Sequence, residues 1–381
     1  MRQKIKISRG FTLIEVMIAM ALSLLVMGTA VSLYKQAVQV SSLVAQRSTV
    51  QDNSRAGINS ISADLTQAGS GLPDSGVSLP STAKFACSAS ACGLYNYPVN
   101  GTTRTLYGVM PGNALGPQIN GGSATDVVTT VYTDREPDLE SPGLVCPVGS
   151  TGGFDAYPLA GVTLSPLTIT FNSATCPVPA DPGYGFQTGD LVLISNLNGT
   201  VVQYVTSVSS NQLTLGSDPF GLNVTGTGSG SLGSLFSGQT LPPSGSSPST
   251  VAIKLNVITY SLMVPNLGTA SQLPPRLMRQ VNGLPPQPVA EQVNDFRITY
   301  DVIDPTLGNA NANPPVLPLS GGQVNPTTLV NIRKINVKLV GVGGLSTPGV
   351  QSQQVALTTA VSPRSLSFYD RYPSSGGTSQ F

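Results

Sequence analysis

Ser8-Arg9-Gly10-Phe11-Thr12-Leu13-Ile14-Glu15-Val16 opens a tract that then runs to Tyr34 without another charged residue. At 1.5 Å per residue, the apolar stretch from Phe11 is long enough to cross a ~30 Å hydrocarbon core as one helix. Arg2, Lys4, Lys6 and Arg9 precede it, and no acid does. A basic leader ahead of an apolar span holds the N-terminus in the cytoplasm and sends the rest of the chain across. A cleaved secretory signal is the nearest competitor, but its apolar core is usually only about 7–15 residues and ends at a small-residue cleavage site. Here the tract is longer and continues without a break.

Glu15 is the one charge inside the tract. A carboxylate within a membrane helix costs on the order of 2.5–3.5 kcal/mol on insertion scales. Either it lies at the interface, reaching headgroups beside Arg9, or it has a partner in the oily setting. The residue alone leaves both readings open.

Proline distribution extends the helix past the membrane. None of the 31 prolines precedes Pro73, which fits one long helix that a ring without an N–H would break. Beyond Lys35 the residues Leu43, Val44, Val50, Ile58, Ile61, Leu65 and Ala68 fall mostly at three- and four-residue steps, so one face is made to be covered. Gly57 reads as a weak point costing ~1 kcal/mol against alanine. Gly69-Ser70-Gly71-Leu72-Pro73 supplies the stop.

After Pro73 the composition changes to Gly, Pro, Ser, Thr and Asn interrupted by short Val-, Ile-, Leu- and Thr-rich runs, the pattern of an antiparallel β body. The fold class expected is therefore α+β. Strands are predicted at Val127–Thr133, Thr163–Phe171, Val251–Val264, Arg276–Val281, Phe296–Val302, Ile332–Val342 and Val355–Val361, with Asp190–Leu215 as a small antiparallel meander. The expected organisation is a leader at 1–10, a transmembrane helix at 11–34 and an amphipathic helix at 35–72. A β-rich region at 73–225, a Gly/Ser/Pro-rich linker or loop at 226–250, a C-terminal antiparallel sheet at 251–372 and a disordered tail at 373–381 follow.

Composition excludes several functions. The sequence has no histidine, which removes Ser-His-Asp and Cys-His catalysis and histidine-ligated metals. No nucleophile, base and orienter can be assembled from its motifs, so no enzyme and no cofactor are expected. Only 10% of residues are charged, with a net +1, which argues against a nucleic-acid partner held by phosphates. Arg333, Lys334 and Lys338, with Arg276 and Arg279, are interleaved with strand hydrophobics and read as solvent-facing sheet positions.

The stretch from Ser8 to Val16 resembles the leader junction and N-methylation motif of type IV pilins and pseudopilins. The resemblance implies cleavage by prepilin peptidase between Gly10 and Phe11 and N-methylation of the new Phe11 amine. It also implies that Glu15 serves assembly by pairing with that amine on a neighbouring subunit, a burial that is tolerable because each charge compensates the other. Asp52–Gly69, Leu277–Gln280, Val293–Tyr300 and Ile335–Leu339 resemble the PilW family of minor pilins and the related J-type pseudopilins. The implied fold is a long N-terminal helix packed on antiparallel sheet, with 73–250 as a large insertion. The implied protein is a minor pilin of the bacterial inner membrane, its body periplasmic and later on the pilus, acting at the tip or in initiation. Its partners would be other pilins, prepilin peptidase and the assembly machinery. A type II secretion pseudopilin and a pilus-anchored adhesin are the alternatives.

Cys87, Cys92, Cys146 and Cys176 all follow the membrane helix, and disulfides are the expected reading in an oxidising compartment. Three connectivities are possible, and proximity favours Cys87 with Cys92 and Cys146 with Cys176. A four-thiolate zinc site needs two close pairs, which the spacing of Cys146 and Cys176 does not provide. Asp134, Glu136, Asp138 and Glu140 form an acidic run with enough oxygens for calcium; a solvated turn is the better reading, since no glycine-bearing calcium loop is visible.

Overall fold

The computed structural model describes residues 12–73, 76–83, 87–88, 91–92, 105–119, 121–133, 157–171, 186–209, 212–236, 250–269, 272–302, 332–343 and 353–363. One helix, α1 (Leu13–Gln67), spans the membrane tract and the amphipathic stretch in 55 residues, about 80 Å at 1.5 Å per residue. Thr12 caps its start and Ala68 its end. The α+β class expected from the sequence holds.

Before the Gly/Ser-rich stretch lie β1 (Val77–Ser78), β2 (Cys87–Ser88), β3 (Ala91–Cys92), β4 (Thr105–Leu106), β5 (Val109–Gly112), β6 (Val127–Thr133), β7 (Tyr157–Leu164), β8 (Leu167–Phe171), β9 (Leu191–Asn196), β10 (Gly199–Tyr204), β11 (Ser207–Ser209) and β12 (Gln212–Thr214). A one-turn helix α2 (Leu232–Leu235) follows, then β13 (Val251–Met263), β14 (Arg276–Val281), β15 (Gln287–Glu291), β16 (Val293–Val302), β17 (Ile332–Gly343) and β18 (Gln353–Val361). Among the described residues, eleven of these strands share one sheet, and β16, β17 and β18 form a second in that order.

β13 is the spine of the large sheet. On one edge it pairs with β9 and then β14, and on the other with β7 and then β6. Its alternation serves both faces: Leu255 and Val257 point into one core with Leu191, Leu193 and Val202. Ile258, Tyr260 and Leu262 point into another with Ile61, Leu65 and Phe296. A sheet covered on both sides explains why β6, which pairs along the spine, is buried at every residue.

The expected boundary at 226–250 is therefore not a boundary between sheets. β13 lies after it yet pairs with β6, β7 and β9 before it, and β13, β14 and β15 belong to the large sheet rather than to a separate C-terminal one. Nor is residue 226–236 bare linker: Leu232, Leu235 and Phe236 are buried against Ile194, Val201 and Ile169. Composition misled because three large apolar side chains among small polar residues suffice to seat a segment. The expected meander over 190–215 also divides. β9 pairs with β10 and β11 with β12, but β12 continues onto β8 at the opposite end of the sheet. Expected features on the Asp134–Glu140 run and the tail from 373 lie outside the described residues.

The outer edge of β16 is closed by a side chain. Asp126 donates its own N–H to Phe296 O at 3.0 Å and accepts from the amides of Ile298 and Ala114 at 2.8 and 2.9 Å. One carboxylate thus ties the start of β6 to the three-stranded sheet, satisfying donors that burial would otherwise penalise.

α1 meets the body along Val50, Ser54, Gly57, Ile61, Asp64 and Leu65, all buried. An ideal Cβ on Gly57 would stand 3.1 Å from Ala290 Cβ, 3.1 Å from a Leu277 methyl and 3.3 Å from a Leu339 methyl. One on Gly341 of β17 would stand 2.6 Å from Val50 and Ser54. Gly57 is thus a close-approach residue rather than a weak point in the helix. Gly57→Leu is expected to destabilise the fold by roughly 1–3 kcal/mol through overpacking, seen as a lowered melting temperature; an unchanged or raised melting temperature would show that the helix and sheet are not this close.

Candidate functional site

The first functional region is the helix start. Thr12 and Glu15 form a reciprocal capping box. The Thr12 N–H and hydroxyl both donate to Glu15 Oε2 at 2.9 Å. Oε1 has no partner among the described residues. Gly10 and Phe11 lie outside them, so the cleavage junction itself is not described.

The described residues around Glu15 are bare. Leu13 is 79%, Leu24 70% and Tyr34 73% exposed, and the most apolar stretch of α1 buries nothing in the body. Ser23 and Thr29 satisfy their hydroxyls within the helix: Ser23 donates to Ala19 O at 2.7 Å and Thr29 to Val26 O at 2.8 Å. Such internal bonds suit a helix in an apolar medium. Exposure continues beyond the membrane tract, because Val38, Val40 and Val44 are also more than half exposed. The amphipathic stretch expected from 35 thus first buries a residue only at Val50.

The second region lies where α1 ends on the sheet. Asp64, 7% exposed, receives Arg279 Nε on Oδ2 at 2.8 Å and Arg279 Nη2 on Oδ1 at 3.1 Å. Tyr132 donates to Oδ1 at 3.0 Å, and Tyr260 donates to Oδ2. Ser60 Oγ lies 2.8 Å from the Tyr260 hydroxyl. Arg279 is therefore not simply a solvent-facing base, which corrects the sequence expectation: its side chain is only partly exposed and its fork engages a carboxylate bidentately. Lys334 and Lys338 are exposed, as expected for that sheet face. Sequence reading missed this cluster because Asp64 sits between apolar positions on one face and its partners lie 68, 196 and 215 residues away. A single acid on the buried stripe was the available signal.

Two shifts follow from this geometry. Burial, reinforced by the Asp64 charge and hydrogen bond, pushes the Tyr260 hydroxyl well above its ordinary value. The hydrogen bonds to Asp64 raise Arg279 further. Tyr107 is raised by burial as well.

The remaining expected site residues separate. The backbone sets Cys87 directly opposite Cys92 across the β2–β3 pair, and nothing beyond that register supports the expected disulfides. Cys146, Cys176, Asp134, Glu136, Asp138 and Glu140 lie outside the described residues.

Residues 5–31 match the family model described as the prokaryotic N-terminal methylation motif. The chain has a type IV pilin-like or pseudopilin-like N-terminus. That motif implies a substrate of the kind prepilin peptidase processes and interaction with pilus-type assembly machinery. The match stops at residue 31 and does not reach the β body. No curated protein and no solved structure matches the chain.

The tyrosine shift carries a sign. With its folded value raised, Tyr260 contributes stability that is fully present below the ordinary tyrosine value of about pH 10 and is lost as pH rises above it. Denaturation curves between pH 8 and 12 should show stability falling above that point. Tyr260→Phe should flatten the fall and leave the smaller part due to Tyr107; an identical slope in the variant would contradict the assignment.

Proposed function

We propose that this chain is a minor pilin: a non-enzymatic subunit, cut between Gly10 and Phe11, methylated on the Phe11 amine and assembled through α1 into a type IV pilus. The observation that carries the reading is an apolar helix half left bare by its own fold, with a carboxylate near its start. Lipid covers that half before assembly and the helices of other pilins cover it afterwards. Glu15 then exchanges its local Thr12 contacts for the amine of a neighbour, and the oxygen that Thr12 leaves unused is the one open to that partner. The β body rides outside the helix core, at the tip or in the initiating complex.

Support for the PilW branch comes from where its resembling stretches fall. Asp64 of the helix stretch and Arg279 of the strand stretch are bonded to each other, and Phe296 and Leu339 of the other two share a core with Leu65. Segments far apart in the chain thus make one joint between helix and body. The inner membrane is the site before assembly and the pilus surface after it.

Mass spectrometry of the mature N-terminal peptide tests this reading. A chain that begins at methylated Phe11 is expected; one that retains Met1, or is cut after Ala30 as a secretory signal would be, contradicts it.

A further inference from the structure

Asp64 collects donors from three neighbouring strands. Tyr132 comes from β6, Tyr260 from β13 and Arg279 from β14, and Tyr260 and Arg279 are direct cross-strand partners. We propose that Asp64 is a positioning residue, a three-strand lock that fixes the rotation and axial setting of α1 against the β body and so fixes the direction in which Glu15 faces. This rests on the proposed pilin function and adds to it the element that orients the assembly face.

Hydrophobic contact alone does not set this relation strictly. Ile61 and Leu65 would gain similar burial after a small slide or roll, since apolar attraction is not directional. A one-residue step in an α-helix turns its face by about 100° and shifts it 1.5 Å. The bidentate Arg279 fork tolerates neither. Any other setting leaves a buried carboxylate, a guanidinium and two tyrosine hydroxyls without their partners. Gly57 and Gly341 let the backbones approach closely enough for the lock to close, since a Cβ at either would meet the opposing element within 3.1 Å.

The setting reaches Glu15 because α1 is one uninterrupted helix from Leu13 to Gln67. Between Val16 and Ser42 every residue is exposed, so no contact with the body can correct the orientation closer to the membrane. The register chosen at Asp64 is transmitted along the helix to the carboxylate 49 residues earlier. A body docked with the helix rolled would present Glu15 and its neighbours at the wrong angle to adjoining subunits, although leader cleavage, which acts at the Gly10–Phe11 junction far along the chain from Asp64, would proceed.

Three variants of the full chain test this: Asp64→Asn, Arg279→Lys, which keeps the charge but not the fork, and Ile169→Ala, a truncation in a separate core that serves as a stability control. Two readouts are taken. One is the distance between spin labels encoded at Gln51 and Lys338 in detergent-solubilised protein, and the other is the fraction of chain in sheared fibres, compared at temperatures where the variants are equally folded. We expect normal leader cleavage in all three, a broadened or displaced distance in the two lock variants but not in Ile169→Ala, and at least a tenfold greater loss from fibres for the lock variants. A parental distance in Asp64→Asn and Arg279→Lys, or a fibre loss no larger than that of the control, would overturn the proposal. If the parent chain itself enters no fibre, the pilin reading fails, and the distance measurement still decides the lock.

Discussion

An apolar helix half that its own fold leaves uncovered is the constraint on which the rest of this protein depends. Exposing so many large side chains to water opposes the hydrophobic effect, and soluble monomers rarely show apolar patches of that size. The chain is stable only with another apolar surface around residues 13–34. A bilayer supplies one, and the helices of similar subunits supply another. Glu15 makes the two environments unequal: in lipid it has only Thr12, whereas a neighbour's amine would give it a counter-charge. On the proposed function, that inequality would drive a subunit out of the membrane and into a fibre.

The body is arranged so as not to compete for that surface. Its sheets cover α1 only along the stripe from Val50 to Leu65, and β13 lets residues from both sides of the Gly/Ser-rich stretch share one framework. Long-range pairing of this kind makes the body a single cooperative unit, with Asp126 tying the second sheet to the first. The helix is thus gripped firmly at one end and free at the other, a division that suits a subunit anchored in a bundle while displaying a body at its surface.

Much of this was legible in the amino acids. β6 and β14 fall where apolar runs between turn residues placed them, the long helix was marked by the absence of proline, and the processing motif was visible as a run of residue types. Periodicity reports which face is buried but not which strand lies alongside. The pairing of β13 with β6, β7 and β9 was therefore hidden, and so was the joining of strands across a stretch whose small polar residues looked like linker. β15 escaped because Pro288 and Glu291 do not look like strand. Arg279 looked like an ordinary solvent-facing strand base, and only the fold brings it to Asp64. Gly57 looked like a helix defect, and only the neighbouring Ala290 explains it.

The direct test of the account concerns the acid beside the bare helix. Glu15→Leu removes the unfavourable charge and should leave the subunit at least as comfortable in lipid, so fractionating cells into membranes and sheared fibres separates membrane stability from docking. The account predicts a processed subunit retained in membranes and depleted from fibres. A variant that partitions into fibres as the parent does would contradict it.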